Sequence, residues 1–472
     1  MSDILWMAGS AFISALVLTP ILRDVFRAYD LVDRPGRRKV HAYPIPRLGG
    51  IAIAAAYVIA LLRFTHSQEV PGIYKWPAWE VLPGAGVIFL IGILDDVFTL
   101  RPLIKLGGQI AAAGVAYAGG LRVEALFDVA LPPWISLAVT IGWLLITTNA
   151  FNLIDGLDAL CTSLAIVAAA TFFFASGIRG DLPLQHASLL LAGALLGFLC
   201  FNLNPATMFL GDSGALSIGF LLGCFGVIWT RGSEWLPGIA VPLLALSVPL
   251  LDAGLAVVRR YLAARRIFAA DRGHVHHRLL DRGMTPRRVA LLLFLWALLA
   301  AAFAVLISLP ALHRWQGFVI LGFCASAWAG VRQLDYAEFD VAARLIFQGQ
   351  FRQTVQAQAR LKNLTAALAR SHNENDWWEA LTRAAQEAGW SHIRWIRDSG
   401  SRERSFDRRS ADGARGTPQW SFRIALGAVD TLEIEGPVET PGSPLDLQAF
   451  AQSVRSSFKT GSGAWSEPKL SA

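Results

Sequence analysis

The sequence predicts a polytopic α-helical membrane protein with about 11 transmembrane helices and a small cytoplasmic α/β domain at its C-terminal end. Three observations carry this. Of 472 residues, 54% are hydrophobic and 16% are charged, against about 25% charged in a soluble globular chain. The apolar residues stand in long unbroken runs. After about Val331 those runs stop and mixed polar sequence follows.

A membrane span needs about 20 mostly apolar residues. The first run, Ile4 to Leu22, is long and no small-residue cleavage site follows it, so it reads as a membrane helix and not a signal peptide. With its centre near Ser14, the others centre near Tyr57, Ile88, Ala112, Ile141, Ala168, Ala192, Leu222, Ala245, Leu298 and Gly322. Gly and Pro inside several of them are tolerated in lipid. Lys and Arg crowd the first loop, Arg23 to Arg47, and the ninth, Arg259 to Arg288. Both are odd-numbered connections, and the positive side faces the cytoplasm. The N-terminus is then expected outside and the C-terminus inside. The net charge of +7 says less than this placement. Cys161, Cys200, Cys224 and Cys324 lie in or beside apolar runs at no metal-ligand spacing, and read as small core residues.

These runs assign residues 1–332 to a transmembrane domain, 333–370 to an amphipathic helical linker and 371–472 to the α/β domain. In the last, Glu374 to Gly389 reads as a helix capped by Asn373 or Asn375. "SHIRWIRD" and "QWSFRIALGAVDTLEIEG" read as strands, the second stretch a pair joined through Gly427. "SPLDLQAFAQSVRSSF" is a closing helix with Ser443 as cap, and "DSGSRERSFDRRSADGARG" a solvated loop.

The helix count places four polar clusters. Asp95 and Asp96 end the third helix, "NAFNLIDGLDAL" follows the fifth, "FNLNPATMFLGDSGALS" joins the seventh and eighth, and "DRGHVHHRLLDRG" lies in the ninth loop. All four fall on the cytoplasmic side, as one site at the membrane boundary requires. Asp95, Asp96, Asp155, Asp158 and Asp212 are hard oxygen ligands, with Asn149 and Asn152 as neutral ones. Such a set suits Mg²⁺, which keeps waters and bridges to phosphates; a zinc-type Cys and His set is absent. Gly156 and Gly211 permit close backbone approach. The basic loops can neutralise phosphates, and His274, His276 and His277 can donate hydrogen bonds or move protons. Together these point to phosphoryl transfer to or from a lipid. Plainer roles stand beside this one: Asp158 as a cap of the sixth helix, and Asp252, inside the ninth run near Pro249, as a partner for backbone groups. A cation-coupled transporter is the competing class, and would hold its carboxylates near mid-bilayer on broken helices.

"DRPGRRKVHAYPIPRLGG", "GILDDVFTLRPLIKLGGQ", "NAFNLIDGLDAL", "FNLNPATMFLGDSGALSIG" and "DRGHVHHRLL", in that order, resemble the polyprenyl-phosphate N-acetylhexosamine-1-phosphate transferase family. The phospho-N-acetylmuramoyl-pentapeptide transferases, the alternative branch, have three consecutive histidines, which Val275 interrupts here. The resemblance implies transfer of N-acetylhexosamine-1-phosphate from a UDP-N-acetylhexosamine, foremost UDP-GlcNAc, to undecaprenyl phosphate, with release of UMP. It implies Mg²⁺, with Mn²⁺ as the alternative ion, at the cytoplasmic face of a bacterial cytoplasmic membrane. The partners are the two substrates and the lipid bilayer, with a homodimer allowed and no nucleic acid. By position, Asp212 matches a metal ligand with Asn152 beside it. Asp95 and Asp96 match a pair near the lipid phosphate, one being the base. Asp155 and Asp158 match positions at the uridine or metal. Asn202 and Phe209 match a uracil pocket, and Lys39, Arg47 and Lys105 basic positions near the phosphates. His274, His276 and His277 match the loop that reads the nucleotide-sugar, with Arg272 and Asn149 as further substrate-binding candidates. Ala159 departs from the family's usual glycine in "DGLDG". The polar tail resembles a degenerate GAF-like sensor domain.

Overall fold

The computed structural model describes residues 2–34, 43–67, 78–126, 129–231, 235–262, 273–333, 364–369, 371, 373–387, 390–397, 400–405, 419–427, 430–437 and 450–458. The chain divides into two compact units, Met1–Glu338 and Phe339–Ala472.

The first unit is helical. In order come α1 (Ser2–Ala28), α2 (Gly49–Ser67), α3 (Ala78–Phe98), α4 (Pro102–Gly119), α5 (Pro133–Ile154), α6 (Leu160–Arg179) and α7 (Leu182–Asn202). They are followed by α8 (Gly211–Thr230), α9 (Trp235–Ala245), α10 (Ser247–Leu262), α11 (Val275–Asp281), α12 (Pro286–Ser308) and α13 (Gln316–Gln333). Each of the eleven expected span centres lies in one of these helices. Among the described residues seven helices, α1, α3, α5, α6, α7, α8 and α12, are long and apolar enough to cross a membrane. The count is eight if α9 and α10, which meet at an 82° bend, form one broken span. The expected ninth span is thus two helices, not one rod.

The outside of this unit is apolar. Ile13, Val17, Ile21 and Val25 stand exposed along one stripe of α1, and Leu291, Leu295, Leu298 and Leu299 along α12. A helix that is oily on its outer face faces lipid. The core is built around α8, buried from Ser213 through Trp229, with α2, α3 and α5 packed on it. Helix starts follow local rules. Pro286 opens α12 behind Thr285, whose side chain accepts from the Arg288 amide. Asp181 caps α7 by accepting from the Leu184 amide at 3.2 Å. At the end of α3 remote from Asp95, Glu80 pairs with Arg231 at 2.6 Å, and Arg231 also donates to the Gly120 carbonyl. Two short antiparallel pairs, β1 (Val32–Asp33) with β2 (Ile45–Pro46) and β3 (Ala125–Leu126) with β4 (Val129–Ala130), edge the bundle.

In the second unit, α14 (Glu374–Glu387) precedes β5 (His392–Arg397), β6 (Gly400–Ser405), β7 (Gln419–Ala425) and β8 (Thr431–Pro437). The strands form one antiparallel sheet in the order β6-β5-β8-β7. Alternation puts Ile393, Trp395, Leu432 and Ile434 on one face, packed with Trp377 of α14, with Leu364 and Leu368 of the helical turn 364–369, and with Val454 of helix 450–458. The other face carries cross-strand ion pairs, Arg394 with Glu403 and Arg423 with Glu433. Asn373 is the α14 cap, accepting from the Asp376 amide at 2.8 Å. One expectation is corrected: Gly400–Ser405 is not loop but strand β6. Its run is charged and has no apolar alternation, and only pairing with β5 defines it. Ser443 and most of the expected linker lie outside the described residues.

Candidate active site

The site forms where the C-terminal ends of α3 and α5 meet the start of α8. Asp95 and Asp96 share the last turn of α3, and both are buried. They face different partners. Asp96 Oδ1 accepts the Asp212 amide and Oδ2 the Ser213 amide, each at 2.9 Å. The carboxylate thereby caps the N-terminus of α8, where unpaired amides and the helix dipole favour negative charge. Asp95 Oδ1 accepts the Leu100 amide at 2.7 Å. Its Oδ2 pairs with Lys105 Nζ at 2.7 Å.

Lys105, one turn into α4, is the hub. Besides Asp95 it lies 3.2 Å from Asp212 Oδ1 and donates to Asn152 Oδ1 at 3.2 Å. Asn152 in turn donates to Asp212 Oδ1. One turn further, Gln109 and Asn149 exchange hydrogen bonds, at 2.7 Å from Asn149 Nδ2 and 3.2 Å from Gln109 Nε2. Lys105 and Gln109 are thus set by the i, i+4 face of α4 against Asn152 and Asn149 on α5. Asn149 fastens these helices. Gln109 is 2% exposed and was not singled out from the sequence; a lone amide in an oily helix, four residues after Lys105, is the signal for it.

Three oxygens from three helices therefore surround one ammonium. Two carboxylates and an amide oxygen suit Mg²⁺, which binds through one or two carboxylates and completes its shell with waters and substrate phosphates. Among the described residues no group of three or more His, Cys, Asp or Glu gathers as a metal cluster. The donor set fits an ion shared with a substrate, not an all-protein cage.

Asp155 ends α5 at its C-cap. It has no hydrogen bond or ion pair among the described residues. Burial, and then the charges of Asp212, Asp96 and Asp158, push its carboxyl well above the ordinary range. Asp158 is spent differently. Its Oδ2 accepts from Asn204 Nδ2 at 2.9 Å and from the Ala206 amide at 3.1 Å, and Arg287 holds Asn204 from the start of α12. The plainer role weighed for Asp158, capping α6, is not found: the N-cap is Ala159, without a side-chain cap. Ala159 stands at φ +64°, a left-handed conformation that glycine adopts without cost. That explains the family's usual glycine at this position.

Asn202, expected at a uracil pocket, is 4% exposed. Its Oδ1 accepts from the Ala159 amide at 3.2 Å and Thr162 Oγ1 at 2.9 Å. Its Nδ2 donates to the Met208 carbonyl. Three of its four hydrogen-bonding valences are used inside the protein, tying the α5–α6 turn to the α7–α8 loop. Phe209 is half-buried, and its backbone exchanges hydrogen bonds with Pro46 and Gly49. The same contact brings Arg47 in. A methyl on Gly211, which has φ +76°, would collide with the Arg47 carbonyl and lie 2.8 Å from Asp96 Oδ2. Only glycine fits there.

The HVHH segment closes the site from the far end of the sequence. His276 is 1% exposed. Its Nε2 would lie 2.6 Å from a methyl on Gly156, which seats the ring on the turn after Asp155. Its Nδ1 is buried without a hydrogen-bond partner among the described residues. Burial, and then His277, push the ring's pKa down to about 4. His277 packs on it at 4.3 Å between centroids. His274 pairs with Asp252 at 2.9 Å. Lys39 and Arg272 lie outside the described residues.

Known proteins resemble this chain in sequence. Residues 78–230, from α3 through α8, match the family model for glycosyl transferase family 4. The chain is similar to a probable undecaprenyl-phosphate N-acetylglucosaminyl 1-phosphate transferase of Bacillus subtilis, 31% identical over 305 residues, covering 63% of this chain and 83% of that one. It is also similar to the decaprenyl-phosphate N-acetylglucosaminephosphotransferase of Mycolicibacterium smegmatis, 34% identical, covering 57% and 73%. A third relative is the undecaprenyl-phosphate alpha-N-acetylglucosaminyl 1-phosphate transferase of Yersinia pestis, 28% identical, covering 68% and 91%. With the converged carboxylates, the family model and a relative matched over most of its length, the chain belongs to glycosyl transferase family 4, among the polyprenyl-phosphate N-acetylhexosamine-1-phosphate transferases.

Proposed function

We propose that the protein transfers N-acetylhexosamine-1-phosphate from a UDP-sugar, foremost UDP-GlcNAc, to a polyprenyl phosphate, yielding polyprenyl-diphosphate-N-acetylhexosamine and UMP. This initiates a cell-surface glycan. The observation that carries the reading is the convergence of Asp95, Asp212 and Asn152 on Lys105, at helix ends of a bundle with an oily exterior. Anionic phosphates and a lipid acceptor need that combination. The charge placement supports eleven crossings of a bacterial cytoplasmic membrane, the N-terminus outside, the site on the cytoplasmic face and the second unit, a GAF-like α/β domain, also inside.

In the reaction an oxygen of the lipid phosphate bonds to the phosphorus that carries the sugar. The bond from that phosphorus to the bridging oxygen breaks, and UMP leaves with the electron pair. A phosphate monoester has a second pKa of about 6, so the acceptor arrives mostly ionised at neutral pH. Asp95 takes any remaining proton, since Asp96 is committed to α8. Lys105 offsets the charge of the reacting phosphates. Asp212 and Asn152 would hold Mg²⁺ or Mn²⁺ once Lys105 turns from them to the phosphates, and the ion when bound adds Lewis acidity at the diphosphate. His276 lies on the turn after Asp155, and it and His277, packed on it, are assigned to the nucleotide-sugar. A transporter reading would use Asp252 on the broken pair α9–α10, but that carboxylate is already engaged by the HVHH segment.

The test is UMP release by purified protein from UDP-GlcNAc and other UDP-N-acetylhexosamines, with undecaprenyl phosphate and Mg²⁺. Release that stops with EDTA and returns with Mg²⁺ is expected. No release from any of these donors refutes the transferase reading.

A further inference from the structure

Asp252 lies in α10, five residues beyond its first residue Ser247, and is 2% exposed. A carboxylate so placed must find partners. Among the described residues both that it finds belong to the HVHH segment. Oδ2 lies 2.9 Å from His274 Nδ1, and Oδ1 accepts the Val275 amide at 2.7 Å. His274, itself buried, stacks on His276 with centroids 5.8 Å apart and planes 13° from parallel. His276 in turn lies on Gly156. Helix α10 touches the segment a second time, where a methyl on Gly273 would run into the Arg259 guanidinium.

We propose that Asp252 is a positioning residue for the nucleotide-sugar. It fixes His274 with the proton on Nδ1 and seats the His274–His276 stack against the turn that carries Asp155. The inference rests on the transferase reading above. An ionised carboxylate only accepts, so the ring nitrogen facing it is the protonated one, and Nε2 is the nitrogen left for other partners. Asp252 also holds the first amide of α11, so ring and backbone are located by one group. The bend between α9 and α10 gives α10 its own direction, separate from α9.

Asp252→Asn tests this in inverted membrane vesicles. The amide oxygen still accepts from Val275, but its N–H now faces His274 Nδ1 and forces the proton onto Nε2, an inversion that costs triad enzymes dearly. KM for UDP-GlcNAc is expected to rise by about tenfold or more, while KM for undecaprenyl phosphate stays within about twofold. KM does not depend on the fraction of protein that folds, so a purely structural role would lower Vmax and leave both KM values alone; that result overturns the proposal. A cycle with His274→Gln gives a second reading. The double variant is expected to lose no more than the worse single one, and additive losses overturn it. If the unmodified protein releases no UMP from any donor, the transferase reading itself has failed, and the inference falls with it. If it does release UMP and Asp252→Asn matches it in both KM values, only the inference has failed.

Discussion

Asp95 and Asp96 give the sharpest prediction, because the structure assigns adjacent identical residues to different work. Each Asp96 oxygen accepts one opening amide of α8 at 2.9 Å. A hydrogen bond to a charged group contributes about 1.5–3 kcal/mol net, so Asp96→Ala forfeits about 3–6 kcal/mol, less whatever water recovers in the vacated space. Asp96→Asn keeps one acceptor and turns an N–H toward the other amide, a loss of about 2 kcal/mol. Asp95→Asn differs. The amide oxygen still accepts from Leu100, and although an N–H now replaces the oxygen that pairs with Lys105, the flexible lysine stem lets the ammonium turn to Asp212 and Asn152, so the cost is about 1 kcal/mol.

At about 2 °C per kcal/mol for a unit of this size, Asp96→Asn lowers the apparent unfolding midpoint in detergent by about 4 °C, and Asp96→Ala by more. Asp95→Asn stays within about 2 °C of the unmodified protein. Both asparagine variants lose UMP release, Asp95→Asn from a folded site and Asp96→Asn because Asp212 is displaced. The midpoints are read by light scattering or dye binding on matched preparations. If Asp96→Asn melts with the unmodified protein, Asp96 does not cap α8 and the division of labour is wrong.

Three further outcomes follow from the same geometry. Gly156→Ala places a methyl 2.6 Å from His276 Nε2, so it should raise KM for the UDP-sugar at least about fivefold; an unchanged KM argues that His276 does not border that substrate. Ala159→Val puts a β-branched residue at φ +64° and should destabilise by about 2 kcal/mol, whereas Ala159→Gly should keep turnover; an unchanged midpoint in Ala159→Val refutes strain there. His276 has a pKa depressed to about 4, below about 6.5 in the unfolded chain. Its contribution is therefore full above pH ~6.5 and is lost as pH falls toward ~4, up to about 3 kcal/mol. The midpoint should drop over that window, and His276→Phe should flatten the drop; an equally steep drop in His276→Phe assigns it to other groups.

Much of this was legible because lipid is a strict solvent. A helix facing hydrocarbon must be apolar over its whole outer length, so the centres of all eleven runs fall in helices. What stayed hidden is what one-dimensional apolarity cannot encode. Residues 235–262 remain oily through Leu246, so hydropathy does not register an 82° change of direction. Strand β6 is "GSRERS", charged on both sides, and exists through its ladder with β5. The site was legible as a set of residues and not as a set of roles. Asn202 and Asp158 sit in the right stretches, yet the structure spends their side chains on Ala159, Thr162, Met208, Asn204 and Ala206. The type of a residue limits what it can bond; only the packing of loops distant in sequence decides what it does bond.

The aspartate pair shows why. Successive side chains on an α-helix leave the axis about 100° apart, so two neighbours cannot address one target. Helix α3 packs between α4 and α8. An adjacent pair at its C-terminal end is the shortest sequence that sends one carboxylate to each. Position 95 meets Lys105 on α4, and position 96 meets the opening amides of α8. Because Asp212 is the second residue of α8, the carboxylate that caps the helix also fixes where Asp212 points. Asp212 then reaches the same lysine as Asp95. One aspartate builds the wall on which the other two work, and the repulsion expected of adjacent charges is met by a cation on one side and a helix dipole on the other.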